Sequence, residues 1–189
     1  MPSLTTTLYD LKGRRKYLTH SERMRFLAGV ESLPQERKLF CLVLLFTGCR
    51  ISEALQLTVE RIDGELSQLV LKTLKRRNPD EQRAVPIPAS LATELIEFTS
   101  GKKGVVWPFS RRTGWRIIKT TMMEVQIHGI QACPKGLRHG FGIANAENNV
   151  PISKTQVWMG HANIETTMIY QNAVGEEERM FAERTWLGC

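Results

Sequence analysis

The chain has 189 residues, 42% of them hydrophobic, enough for an ordinary packed core and too apolar for a disordered polyelectrolyte. Lys and Arg total 26 against 19 Asp and Glu, a net charge of +7 with a pI near 9.5, and this surplus favours polyanionic partners, nucleic acid first among them. The longest apolar run, the eight residues from Leu39 to Phe46, falls far short of the roughly 20 that a helix needs to cross a bilayer.

The charge is unevenly placed. Residues 175–189 carry Glu176, Glu177, Glu178 and Glu183 against Arg179 and Arg184, a local −2 that leaves +9 on the first 174 residues. Cys41, Cys49, Cys133 and Cys189 form no Cys-x-x-Cys pair and no signal peptide precedes them, so reduced thiols in a cytoplasmic, nucleoid-associated protein are expected.

Residues 1–18 are polar, rich in Thr and basic groups and without periodicity, and read as an arm that orders only on contact. Thr19 and Glu22 have capping-box spacing and open a helix to about Val30. Pro34 suits the first turn of a second helix, whose Leu39–Phe46 segment is apolar on all sides and is expected to run through the core until Gly48 ends it. Arg50 follows at once, ahead of a short helix carrying Ile51, Ala54 and Leu55.

From Asp63 to Pro88 the period changes. Leu69–Leu74 and Arg83–Ile87 read as strands joined by Lys75-Arg76-Arg77-Asn78-Pro79-Asp80, a hairpin with a basic tip. Ser90 is expected to cap a helix to about Phe98, and Ser110 another to about Ile127 with Trp115, Ile118, Met122 and Val125 on one face and Arg112, Arg116 and Lys119 on a basic face. Pro134 to about Ala146, Pro151 to Met159, and a short segment reaching Tyr170 complete the helices. The fold class expected is therefore mainly α with a small antiparallel β-sheet (α+β), in one catalytic-size unit over residues 19–174, with a C-terminal helix or tail over 175–189.

Two segments suggest a phosphate site: Thr47-Gly48-Cys49-Arg50-Ile51-Ser52-Glu53-Ala54-Leu55 and Pro134-Lys135-Gly136-Leu137-Arg138-His139. Guanidinium groups bind phosphate oxygens bidentately and stay charged, so two converging arginines can neutralise a pentacoordinate phosphorane. Either segment alone describes a surface arginine or a structural ion pair equally well. A third segment, Trp158-Met159-Gly160-His161-Ala162-Asn163, precedes Thr166-Thr167-Met168-Ile169-Tyr170 and places a tyrosine nine positions after a histidine.

The ordered set (Arg-x-x-Glu-Ala-Leu, a hairpin Lys, x-x-Leu-Arg-His, Gly-His, then Tyr after Thr-Thr-x-x) resembles the tyrosine recombinase and integrase family over residues from about 19 to 175. The resemblance implies the tyrosine recombinase catalytic-domain fold, with Tyr170 as a nucleophile that forms a 3′-phosphotyrosyl link and frees a 5′-hydroxyl without ATP, metal or other cofactor. Arg50 and Arg138 become the phosphate clamp, and His161 a hydrogen-bond donor or a proton shuttle near neutral pH. Glu53 becomes a carboxylate that orients its neighbours, while Lys75 is the general acid, with Lys72 the alternative. Arg76, Arg77, Arg112, Arg116 and Lys119 are expected to touch DNA. His139, next to Arg138 on a helix, is expected to point elsewhere, and the arginine charges around Tyr170 to favour its phenolate.

Two departures from the family pattern stand out. Lys135 occupies a position where the family usually has His, a minority choice that cannot serve as an easily titrated base near pH 7. No core-binding domain fits ahead of Thr19, and in this the chain is similar to the fimbrial phase-variation invertases. The partners implied are double-stranded DNA with inverted half-sites, further copies of the chain up to a tetramer in synapsis, and accessory DNA-bending or core-binding proteins. A non-cleaving regulatory module of the same fold, a type IB topoisomerase and a telomere resolvase are the alternative readings. His128, Cys133, His139 and His161 match no standard zinc spacing.

Overall fold

A computed structural model of the chain describes residues 8–74 and 81–171, with Glu183 and Trp186 beyond them. The expected Lys75-to-Asp80 hairpin tip and the 175–189 tail, apart from those two residues, lie outside the described residues, as do residues 1–7. Helix α1 (His20–Val30) begins on a full capping box: Thr19 Oγ1 accepts from the Glu22 amide while the Glu22 carboxylate accepts from the Thr19 amide. Helix α2 (Gln35–Thr47) follows Pro34. Its residues Leu39 to Leu45 are buried on every face, so it forms the axis of the core. Phe40 meets Trp107 edge-on at 5.3 Å there.

A short helix α3 (Ile51–Ala54) and a 3-10 turn (Val59–Arg61) lead into the sheet. Strands β1 (Ile62–Asp63), β2 (Gln68–Lys72) and β3 (Gln82–Pro86) pair antiparallel in the order β1-β2-β3, with Leu71 opposite Arg83 and Lys72 opposite Gln82. The two-residue β1 was not legible as a strand, because two residues are too few to show a period. Residues 69, 71, 83 and 85 face the body and are buried.

Helices α4 (Ala89–Thr99), α5 (Arg111–Glu124), α6 (Pro134–Glu147), α7 (Ile152–Met159) and α8 (Glu165–Met168) complete the mainly helical fold. Helix α4 starts after Pro88, one residue before the expected Ser90 cap, because Pro88 supplies the extended entry residue. Ser110 does cap α5, accepting from the Thr113 amide at 3.0 Å. Among the described residues no helix is long and apolar enough to cross a membrane.

The expected free arm is corrected for residues 8–18. Tyr9 bridges Arg15, the Asp10 carboxylate accepts from the Arg14 amide at 2.8 Å, and Arg15 pairs with Glu22. Leu8 and Tyr17 are buried in a second apolar cluster with Phe141, Ile143, Met159 and Tyr170. Two apolar anchors nine residues apart carry no period, so composition alone made the segment look unstructured.

Candidate active site

The site grows from the end of α2. Gly48 has φ +58°, and a Cβ there would sit 2.4 Å from the Phe141 ring, so glycine satisfies both the left-handed turn and the close helix approach. The chain then turns so that Arg50 enters α3. Glu53 Oε2 accepts from the Arg50 amide at 2.9 Å and Oε1 from Arg50 Nη1 at 2.8 Å, which holds the guanidinium at the surface edge while the carboxylate is buried. Burial pushes the Glu53 carboxyl up, but the Arg83 charge and hydrogen bond and those of Arg50 outweigh it and leave the group below its ordinary range.

Arg138 approaches the same point from α6. Its Nη1 donates to Gly48 O and its Nη2 to Met159 O, both at 2.7 Å, so the side chain staples the Gly48 turn to the end of α7. Burial, then the neighbouring Arg50, lowers its pKa to about 10, which leaves it charged at neutral pH. Arg50, Arg138 and Lys135 border one open cleft of about 370 Å³ with Ser52, Arg111 and Trp115, and among the described residues no acidic one lines it. A cleft whose described lining holds four cations and no carboxylate is suited to a phosphodiester.

Tyr170 lies in the second apolar cluster, 3% exposed, and does not line that cleft, although the charges of Arg138 and Arg50 reach it. Its ring stands over Gly142, where a Cβ would come within 2.5 Å of the ring carbons. Its hydroxyl oxygen is 3.0 Å from His139 Nδ1, and its ring stacks on His161 at 6.3 Å between centroids. Burial raises the Tyr170 pKa to about 12 against the opposing charges of Arg138 and Arg50. Those charges do favour the phenolate, as expected, but in the free protein burial outweighs them and the phenol stays protonated.

The two histidines are neutral for the same reason. Burial first, then Arg138 and Arg50, lowers His161 to about 3, while burial and Lys135 lower His139 to about 4. His161 Nδ1 lies 2.9 Å from Thr167 Oγ1. A histidine titrating near 3 is no shuttle at neutral pH in the free protein, which leaves the hydrogen-bond role for it. His139 does point elsewhere than Arg138, but to the Tyr170 hydroxyl and not away from the site, because this stretch of α6 is enclosed on nearly all sides.

The sheet supplies a residue that sequence reading passed over. Arg83, 7% exposed on β3, donates to Glu53 Oε2 at 2.7 Å, to Thr73 Oγ1 at 3.0 Å and to Trp158 O at 2.8 Å. Its signal was present, since it shares the inward parity of Val85 and Ile87. Lys72 has the opposite parity to Leu71 and Thr73 and belongs to the sheet face turned from Arg83 and Glu53. Lys75, Arg76 and Arg77 lie outside the described residues.

On α5, Arg112 and Arg116 are exposed, while the Lys119 ammonium donates to Ala132 O at 3.0 Å. Trp115 departs from the shared apolar face assigned to it: it is 45% exposed and lines the cleft with Arg111. The Arg111–Trp115 spacing of four places them on one helix face, a signal overlooked because Trp was counted as core.

With this geometry in place, comparison with known proteins is direct. The chain is similar to the tyrosine recombinase XerA of Pyrococcus furiosus, 29% identical over 184 residues that cover 89% of this chain and 61% of the relative. The tyrosine recombinase XerD of Halalkalibacterium halodurans is 31% identical over 68% of the chain and 46% of the relative. Among solved structures, a XerA recombinase superposes with a TM-score of 0.76 at 22% identity, covering 90% of this chain and 65% of that one. The XerH recombinase in its pre-cleavage complex with difH superposes at 0.71 and 18% identity, covering 92% and 59%. The fold is that of a tyrosine recombinase catalytic domain.

The phage integrase family model matches residues 16–177, and the chain belongs to that family. It spans about three-fifths of the length of the curated relatives, 61% to 64% for three XerA proteins.

Proposed function

We propose that this chain cuts and rejoins DNA at specific sites by transesterification through Tyr170. The observation that carries the reading is the convergence of Arg50, Arg138 and Lys135 on one cation-lined cleft, with the buried Tyr170 hydroxyl within the field of both arginines. In the reaction Tyr170 Oη bonds to the scissile phosphorus, the bond from phosphorus to the 5′-oxygen breaks, and the departing oxygen takes a proton from a general acid. Arg50 and Arg138 hold the non-bridging oxygens and neutralise the charge of the phosphorane, and His161 donates a further hydrogen bond. His139 Nδ1, 3.0 Å from Oη, orients the phenol, and the phenol proton leaves to and returns from solvent.

Lys75 is the proposed acid, and the outward parity of Lys72 supports that choice over the alternative. Arg76, Arg77, Arg112, Arg116 and Lys119 complete the DNA contacts, Lys119 with its ammonium partly committed to Ala132 O. The solved XerH complexes contain difH DNA, and duplex DNA with inverted half-sites is the proposed partner here, bound by copies that reach a tetramer in synapsis with accessory proteins in a cytoplasmic, nucleoid setting. No metal or cofactor enters the proposal.

The test uses nicked duplex DNA bearing a site that the protein selects at low salt from a random inverted-repeat library. A covalent protein–DNA band on a denaturing gel is expected without added metal, and its loss in Tyr170→Phe. Specific binding with no band would leave a non-cleaving regulator, and nicking without sequence preference would indicate a topoisomerase.

A further inference from the structure

We infer that Arg83 is a positioning residue of the reaction, holding Arg50 and His161 in register from beneath. The inference rests on the proposed strand-transfer reading for its kinetic arm only. Glu53 joins the two arginines: one carboxylate oxygen takes Arg50 Nη1 at 2.8 Å and the other takes Arg83 Nη2 at 2.7 Å. The carboxylate is thus held from below by Arg83 as well as by the Arg50 amide, and from that position it takes the arginine that faces the cleft. Arg83 Nε donates to Trp158 O at 2.8 Å, and a Cβ on Gly160 would sit 3.0 Å from the guanidinium carbon. The guanidinium plane therefore packs against the turn that delivers His161. Its third nitrogen donates to Thr73 Oγ1 at 3.0 Å, at the end of the strand pairing.

Three nitrogens meet three separate segments: α3, the end of β2 and the end of α7. Only a planar fork can do this, because a lysine ammonium on a flexible stem has no fixed directions with which to satisfy all three at once. A buried ion pair is a poor way to gain stability, since well-packed apolar residues do as well or better. What Arg83 contributes is geometry. Arg83 and the Arg50 amide share Glu53 Oε2, so Arg83 is the donor from outside α3 that keeps the carboxylate aimed at Arg50 Nη1, and displacing a reacting or clamping group by about 1 Å can lower a rate by about 10²-fold.

The test compares Arg83→Met, Arg83→Lys, Glu53→Gln and the Arg83→Met/Glu53→Gln double variant, each checked for folding by thermal unfolding and for DNA affinity. Covalent complex formation in single turnover is expected to fall by about 10²-fold in Arg83→Met with DNA affinity at the wild-type level. Arg83→Lys should recover only part of the loss, and the double variant should be no slower than the worse single variant, because both act through one carboxylate. Multiplicative losses in the double variant, or a loss confined to thermal stability and DNA binding, would overturn the inference. An arm independent of catalysis uses arginine side-chain nitrogen spectra of the full chain: the hindered rotation of the Arg50 guanidinium should vanish in Arg83→Met and persist in Tyr170→Phe. Unchanged Arg50 signals in Arg83→Met would refute the positioning role even if no DNA were ever cut.

Discussion

Tyr170 and His139 meet through one hydrogen bond, Oη to Nδ1 at 3.0 Å, in a layer where both side chains are buried. Neither group carries charge at neutral pH, since burial holds the phenol up at about 12 and the imidazole down at about 4. The proposed nucleophile therefore rests in a neutral pair.

That neutrality sets an acid limit on stability. His139 at about 4 and His161 at about 3 lie below the ordinary 6.5, so between those values the unfolded chain binds more protons than the folded one. The stability that the neutral imidazoles contribute is complete above about pH 6.5 and is lost as the pH falls through about 4 for His139 and about 3 for His161. A series of melting temperatures over that window should decline, and decline less in the His139→Asn/His161→Asn variant. An equally steep fall in the double variant would move the sensitivity to carboxylates such as Glu53.

Gly142→Ala should act first on the placement of Tyr170. The added Cβ would lie 2.5 Å from the Tyr170 ring, which is itself enclosed and cannot swing aside cheaply. Covalent complex formation should drop by about 10²-fold, at a stability cost of about 1–3 kcal/mol from overpacking. Wild-type cleavage in Gly142→Ala would show that the tyrosine reacts from another position.

How much of this was legible beforehand depended on where the information lay along the chain. Gly48, Arg50, Arg138, His161 and Tyr170 could be picked out because each sits in a local motif next to a helix boundary. Arg83, His139 and Trp115 were passed over or misplaced, since their roles depend on contacts across distant segments, 30 residues for Arg83 to Glu53 and 31 for His139 to Tyr170. Charge on a strand and an aromatic on a helix have bland local readings, and only the fold shows which partner each one finds.

Arg138→Met should be costly before any DNA is present. Two buried carbonyls, Gly48 O and Met159 O, would lose their donors, at about 1–3 kcal/mol each. Urea titration should show a lower midpoint with an unchanged slope, and the variant should form no covalent complex.

DNA binding should separate by chemistry on α5. Removing the charge of Arg112 or Arg116 is expected to reduce the dependence of log affinity on log salt by about one unit each. Trp115→Ala, in contrast, should weaken binding with the salt slope intact, because its half-exposed ring offers stacking or packing surface and no charge. A changed slope in Trp115→Ala would remove it from direct contact with the nucleic acid.

The hairpin built by Leu8 and Tyr17 shares its apolar layer with Tyr170. The first described residues and the proposed nucleophile thus pack in one apolar layer, so a change of volume at Leu8 or Tyr17 is felt at the Tyr170 ring.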